Sequence, residues 1–164
     1  MNDWARYVKA NPLETIVAEE GRTAWKRVEI VVRDDWMMLQ SIHSSDIVNS
    51  SPTAARCKIQ HHRAPDEYCT CGWYGFYDRF HPQLVPFLSS QPLMEVYLQG
   101  KLIEHEEGVR GEWQTPLGIY LDHPNHNNGL IGVFLTSYNQ QYFSVEQFIN
   151  DIDIPVNVGG KWMY

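Results

Sequence analysis

Residues 93–113, LMEVYLQGKLIEHEEGVRGEW, decide the fold because short apolar runs alternate in them with glycine turns. The Val, Ile, Leu and Tyr residues of these runs favour strands. Gly100 interrupts the first apolar run, and Gly108 follows two acidic residues at a turn position. The segment therefore predicts a β-meander of three short strands without a helix. The strands are Leu93–Leu98, Lys101–His105 and Val109–Trp113.

The sequence on both sides continues the β pattern. Upstream, Thr23–Val32 ends in β-branched residues, residues 34–35 are typical of a turn, and Trp36–Ile42 returns as the second arm of a hairpin. Downstream, Gly118–Leu121 and Leu130–Leu135 are two more apolar segments of strand length. Both neighbouring regions are therefore predicted to add strands.

One segment near the C-terminal end predicts a helix. Ser144 is a good N-cap, and Gln147 stands three residues later, as in a capping box. The apolar residues of 145–152 recur at spacings of three, four and seven, which places them on one helical face. We therefore expect Phe148 and Ile149 to be buried against the sheet.

These elements predict a mainly β fold of the α+β type, a small antiparallel β-barrel or sandwich with a C-terminal helix. Residues 2–10 predict a short N-terminal helix, since Asn2 or Asp3 can cap it and Pro12 lies just beyond its end. A chain of 164 residues has the size of one ordinary domain. No linker or repeat divides it, so residues 1–164 are predicted to form a single domain.

The composition narrows the partners and the location. A formal net charge of −7 argues against nucleic acid and anionic membrane as partners, because phosphate groups are bound by Lys and Arg. We find neither the apolar core of a signal peptide nor the about 20 apolar residues of a membrane helix. Three cysteines are an odd number and few for a secreted disulfide scaffold. A cytoplasmic location is expected.

The three cysteines lie close together at the end of a long polar segment. Residues 43–68 are rich in Ser, Asn, Asp and Pro, and loops of this length are usually pinned or functional. Thiolate and imidazole are the usual ligands of tetrahedral zinc, so the cluster predicts a structural zinc site that clips the loop. Reduced thiols that pack as small hydrophobic groups are the alternative, and His61 could replace the histidine of the set. The predicted ligands are Cys57, His62, Cys69 and Cys71.

The segment after the cysteines, Trp73-Tyr-Gly-Phe-Tyr77, carries four aromatic side chains. Aromatic rings supply contact area at little entropy cost, so Trp73, Tyr74 and Phe76 are candidate residues for lining a binding groove. Packing in a β core is the alternative use of such a run.

A second candidate group joins Glu104-His105-Glu106 to Arg110 and Glu112. On a strand, Glu104 and Glu106 share one face while His105 points to the other. Arg110, across the turn, is expected to pair with a carboxylate. A cross-strand ion pair is the commoner use of such residues, and a general base with an orienting partner is the alternative. Glu104, His105 and Arg110 are therefore candidate binding residues.

A third group is the loop Asp122-His-Pro-Asn-His126, in which two histidines and an aspartate could hold a metal ion. Asn, Asp and Pro also build turns for backbone reasons, so a polar connection between strands is the expected structure. The chain carries no nucleophile elbow, phosphate-binding glycine loop, His-Glu-x-x-His or dinucleotide motif.

Several of these segments together resemble a group of small, uncharacterised proteins of actinobacteria and their phages. The shared pattern joins His-x-Ala-Pro to Cys-x-Cys-Gly-aromatic-Tyr, and then to Gly-x-x-x-Glu-His-Glu-x-Gly-x-Arg-x-Glu. The resemblance implies a common fold unit and brings no known activity with it. The matching segments are Arg22–Trp25, Ala55–Cys57, His62–Pro65, Cys69–Gly75, Gly100–Glu112 and Ile154–Val156.

The sequence favours a non-enzymatic binding or regulatory module for a small ligand or a protein partner, phage-encoded as the resemblance implies. The alternative class is a metal-assisted or His/Glu-dependent hydrolase, which requires Glu104, His105 or the histidines of 122–126 to meet in one pocket. A further alternative is a phage assembly component or an inhibitor that acts by occlusion, which requires a large exposed apolar patch.

Overall fold

A computed structural model gives the architecture of most of the chain. The residues that it describes are 12–17, 20–42, 46–85, 88–136 and 139–163. Within them the backbone is mainly β, which confirms the predicted fold class, and the predicted helix over 2–10 lies outside them. The strands are β1 (Pro12–Val17), β2 (Arg22–Arg33), β3 (Trp36–Ser41), β4 (Ile47–Val48), β5 (Thr53–Ala54), β6 (Trp73–Phe76), β7 (Leu93–His105), β8 (Gly108–Leu121), β9 (Leu130–Leu135), β10 (Gln140–Ser144), β11 (Val156–Val158) and β12 (Lys161–Met163). The helices are α1 (Pro124–Asn127), α2 (Val145–Asp151) and a 3-10 turn at Pro82–Leu84.

Strands β2 and β3 form the predicted hairpin. Arg33 pairs with Trp36, so Asp34 and Asp35 are the two residues of the turn. Both have positive φ, 52° and 66°. A two-residue turn with two positive φ values matches the right-handed twist of the strands and favours Asn, Asp and Gly. The acidic pair therefore fixes the register of the hairpin.

Strands β7 and β8 are long and continuous, and hydrogen bonds join them to each other. β7 runs through Gly100, which has a φ of 81°, and β8 extends beyond the predicted third strand to Leu121. The strands of 93–113 are therefore confirmed, but the predicted break at Gly100 is wrong. A strand can accommodate a glycine as a local irregularity, and here a Cβ would lie 2.5 Å from the Glu112 Oε1 atom.

One pairing departs from the predicted antiparallel sheet. Ten of the described strands belong to one mixed sheet, while β9 and β10 form a separate pair. β11 lies parallel to β8, with Val156 opposite Ile119. Parallel neighbours need a long crossover, and residues 122–155 supply it.

Helix α2 has the predicted cap. The Gln147 N–H donates to Ser144 Oγ over 3.2 Å, and the Ser144 N–H donates to Gln147 Oε1 over 2.9 Å. Phe148 is fully buried, as predicted, whereas Ile149 is only half-buried. In the described part of the chain, no helix has the length and apolar character needed to cross a membrane.

The chain divides into two compact units whose segments alternate along the sequence. The described residues of the first unit lie within 12–26, 51–81 and 96–115, and those of the second within 27–50, 82–95 and 116–163. Their fully buried side chains include Leu98, Leu102 and Val109 in the first unit, and Ile30, Leu39, Phe143 and Phe148 in the second. Strands β2, β7 and β8 contribute residues to both units, and the single domain stays a prediction.

Candidate metal centre

Residues 55–72 form a loop, the cysteine loop, that connects β5 to β6, and both of these strands pair with β8. At its start, Ala54 in β5 pairs with Trp113. At its end, Trp73 in β6 pairs with Gly111. The sheet of the first unit therefore holds both ends of the loop close together on one strand.

Two tight turns fold the loop back on itself. The Asp66 carboxylate accepts the Tyr68 N–H over 2.8 Å, and the Asp66 carbonyl accepts the Cys69 N–H over 3.2 Å. Gly72 has a φ of 110°, and a Cβ at this position would lie 2.8 Å from the Cβ of Pro65. Only glycine meets both conditions without strain. The turns return the end of the loop towards its start.

The folded loop brings the four predicted ligands together. One ligand atom from each of Cys57, His62, Cys69 and Cys71 lies within 4.8 Å of the others. The Cys57 and Cys69 sulfurs are 3.8 Å apart, and His62 Nε2 is 3.2 Å from the Cys71 sulfur. Two sulfurs that share a tetrahedral ion at about 2.3 Å each are themselves about 3.8 Å apart. The group could therefore hold a metal ion.

This arrangement bears on one alternative that the sequence left open, which is the choice of histidine. All three cysteines are free thiols, so no disulfide competes for the sulfurs. His62 belongs to the group and His61 does not; His61 is exposed and has a positive φ of 57°. Cys57 and Cys69 are buried, and Cys71 is half-buried.

The thiols differ in how readily they ionise. The Gln60 N–H donates to the Cys57 sulfur over 3.3 Å, and this backbone hydrogen bond lowers the pKa of Cys57 to about 6. Burial, together with the neighbouring Cys69, raises the pKa of Cys71 to about 12. Cys57 therefore ionises readily. Three thiolates this close together repel one another unless a cation lies among them.

Arg110 supports the cysteine loop from strand β8. Its Nη1 donates to three loop carbonyls, of Cys69 at 2.6 Å, Cys71 at 2.7 Å and Asp66 at 3.1 Å. Its Nε donates to His105 Nε2 over 3.3 Å. The side chain is fully buried, and burial lowers the pKa of the guanidinium while the Cys71 and Cys69 thiols and the Asp66 carboxylate raise it.

The expected ion pair of Arg110 with a carboxylate is therefore wrong. Arg110 faces the loop carbonyls, and Glu104 pairs instead with Arg22 Nε over 3.0 Å and accepts the Tyr77 hydroxyl over 2.7 Å. His105 is buried on the side of Arg110, as the alternation along β7 predicts. Glu104 and His105 consequently do not converge as an acid–base pair.

The aromatic run lies mostly inside the first unit. Trp73 and Phe76 are buried; the Trp73 indole donates to the Thr53 carbonyl over 2.8 Å, and Phe76 stacks on His81 with ring centroids 3.8 Å apart. Tyr74 is half-buried, with the Lys26 ammonium 4.6 Å from its ring centroid. Trp73 and Phe76 are therefore core residues, as in the alternative given by the sequence, and Tyr74 is partly exposed.

The two histidines of 122–126, in the second unit, cap the short helix α1. His123 Nδ1 accepts the Asn125 N–H, and His126 Nδ1 accepts the His123 N–H, each over 3.1 Å. Asp122 forms a bidentate ion pair with Arg27, with N–O distances of 2.9 and 3.0 Å. Among the described residues, only the cysteine-loop group brings three or more Cys, His, Asp or Glu ligands within metal-binding distance.

The role of Arg110 at the loop has no signature in the sequence. The residues that it binds stand 39 to 44 positions earlier in the chain, and backbone carbonyls are common to every residue type. The burial of Lys26 was likewise not predicted. Alternation along β2 indicates on which face of the strand a side chain lies, and it does not indicate which residue that side chain contacts.

In comparisons with known proteins, no family model, curated protein or solved structure matches the chain. The resemblance to the actinobacterial and phage proteins therefore stays an expectation, and the function is inferred from the site.

Proposed function

We propose that the chain is a non-enzymatic binding module whose cysteine loop is closed by one structural zinc ion. The observation that carries the proposal is the meeting of Cys57, His62, Cys69 and Cys71 within 4.8 Å. Their chemistry fits zinc, since three thiolates and one imidazole form a common structural ligand set. Iron–sulfur clusters usually take four cysteines, and Mg²⁺ or Ca²⁺ prefer oxygen ligands.

A structural role follows from the number of ligands. The chain supplies four donors, which complete a tetrahedral shell and leave no position for a water or substrate. A catalytic zinc keeps such a position open. This closed shell favours the binding module over a metal-assisted hydrolase.

The proposed binding surface is the outer side of the cysteine loop. Ile59 and Tyr68 are 72% and 85% exposed, although both stand in the segment that the four ligands fix. A rigid loop with an exposed aromatic side chain loses little entropy on binding a small ligand or a protein partner. Zinc would thus serve binding by holding these two side chains in place.

Elemental analysis of the purified full chain tests the zinc site. We expect about one zinc per chain, and a strong chelator should lower the melting temperature because metal binding adds to the folding free energy. His62→Asn should lose the metal, whereas His61→Asn, the exposed neighbour, should keep it. Metal-free protein with a melting temperature unaffected by the chelator would contradict the proposal.

Thermal-shift measurements on zinc-loaded protein test the binding role. A panel of nucleotides, sugars, amino acids and short peptides is screened for a rise in melting temperature, with turnover followed in parallel. A shift that Tyr68→Ser abolishes and Tyr142→Ser preserves supports the module, because Tyr142 is a similarly exposed tyrosine in the second unit. Catalytic turnover of any of these probes argues for an enzyme instead.

A further inference from the structure

A zinc ion in the cysteine loop would leave one negative charge to be balanced. Three thiolates carry one charge more than Zn²⁺ neutralises, and a neutral imidazole adds none. Cys57 and Cys69 are buried, so solvent screens this charge poorly. This inference rests on the proposed zinc site.

The Arg110 guanidinium is a buried cation beside this site. It is fully buried, and none of its polar contacts within the described residues is a carboxylate oxygen. Its contact with Asp66 is to the main-chain carbonyl, while the carboxylate of Asp66 accepts the Tyr68 N–H. A buried cation that no carboxylate contacts directly is costly unless negative charge lies nearby. Against the lowering by burial, the Cys71 and Cys69 thiols raise the pKa of Arg110 most, and the Asp66 carboxylate raises it after them.

The contacts of Arg110 place its guanidinium beside two of the proposed ligand residues. Two of its three carbonyl partners belong to the ligand residues Cys69 and Cys71, at 2.6 and 2.7 Å. Its Nη2 is buried and has no acceptor among the described residues. The guanidinium therefore lies against the backbone of two of the proposed ligand residues, Cys69 and Cys71.

We propose that Arg110 is the positioning residue and counter-charge of a zinc site with three thiolates and one imidazole. The positive charge stabilises the anionic loaded site, and the fork of N–H groups holds the carbonyls of the two ligand residues on the last turn of the loop. Groups outside the ligand shell of a metal typically change its affinity by about 10- to 100-fold.

Two substitutions separate the charge from the hydrogen bonds. Arg110→Lys keeps the charge and loses the planar fork, whereas Arg110→Gln keeps an N–H donor and loses the charge. Arg63→Gln is the matched control, because Arg63 stands in the same loop, is 79% exposed and pairs with Glu112. Zinc affinity is measured on each full-length variant by competition with a chromophoric chelator.

We expect Arg110→Gln to weaken zinc binding by at least about tenfold and Arg110→Lys to keep most of the wild-type affinity. Arg63→Gln should bind zinc with an affinity within about twofold of wild type. Cobalt(II) in place of zinc gives a second measurement, the intensity of the thiolate-to-cobalt band per bound ion. The band should weaken in Arg110→Gln, because an anionic site without its counter-charge keeps fewer sulfurs bonded to the ion, and recover in Arg110→Lys.

Equal zinc affinities and equal cobalt bands in the two Arg110 variants would overturn the counter-charge. If Arg110→Gln does not fold, Arg110→Lys decides on the counter-charge alone: affinity near wild type supports it, and a loss of about tenfold or more overturns it. Wild-type protein without metal would refute the zinc site itself. Wild-type protein with zinc and an unaffected Arg110→Gln would refute only the role of Arg110.

Discussion

At the scale of single residues, two buried cations of the first unit are stabilised in different ways. The Lys26 ammonium donates to Gln114 Oε1 over 3.3 Å and lies 4.6 and 5.4 Å from the ring centroids of Tyr74 and Trp73. Aromatic faces attract such a cation through their quadrupole. Arg110 has carbonyl oxygens as partners instead, which place its charge at the cysteine loop.

Phe148 gives a stability prediction at one position. Its side chain is fully buried on helix α2, so Phe148→Ala should lower the free energy of unfolding by about 3–5 kcal/mol in urea denaturation. Ile149→Ala, at the half-buried neighbour, should cost clearly less. A loss below about 1 kcal/mol for Phe148→Ala would mean that the side chain is not packed in the second unit.

His126 gives a prediction for the pH dependence of stability. Burial is the main cause that lowers the pKa of His126, and nearby His123 and Arg27 lower it further, against the Ser89 carbonyl and Asp122, which raise it. The unfolded chain therefore takes up a proton at this histidine, near pH 6.5, before the folded chain does. Stability should fall as the pH drops below about 6.5.

Urea unfolding between about pH 5 and pH 7.5 measures this effect. The slope of unfolding free energy against pH should be smaller in His126→Gln than in wild type, while His61→Asn, at an exposed site, should keep the wild-type slope. An unchanged slope in His126→Gln would show that His126 takes up a proton equally well in the folded and the unfolded chain.

At the scale of elements, short local devices set where each element begins and turns. The pair Asp34 and Asp35 turns β2 into β3 with two positive φ values, and a histidine pair caps α1 as serine or threonine usually would. The separate pair β9 and β10 exposes Val133, Leu135 and Tyr142, so its outer side adds little to the core of the second unit.

The cap of α2 can be tested on its own. Ser144→Ala removes the oxygen that accepts the Gln147 N–H, and we expect a loss of about 1 kcal/mol in unfolding free energy. Ser144→Asp, which can also cap, should stay near wild type. Equal stabilities for the alanine and aspartate variants would show that the capping box contributes nothing measurable.

At the scale of the whole molecule, the sequence predicted local structure better than long-range contacts. The hairpin at residues 34–35, the capped helix and the proximity of the three cysteines to His62 follow from short patterns, and the structure shows all three. The continuity of β7 through Gly100 was not predicted, because glycine occurs both where a strand ends and where a continuing strand is locally irregular. The partners of Arg110 were missed because they depend on packing between distant segments.

Both ends of the cysteine loop are held on β8 through β5 and β6, and this arrangement affects how a protease can cut the loop. The strand pairs at Ala54 and Trp73 already hold the ends together, so loss of the proposed ion should release the loop while the sheet beneath it persists. Trypsin cuts after Lys and Arg, and the loop exposes Arg56, Lys58 and Arg63.

We therefore expect trypsin to nick chelator-treated protein within residues 56–63 and to leave zinc-loaded protein intact there, with the two fragments still associated on a native gel. Digestion of the chelated protein throughout the chain, at the same rate everywhere, would show instead that the ion is needed to keep the whole first unit folded. Mass spectrometry of the first cleavage products distinguishes local release from global unfolding.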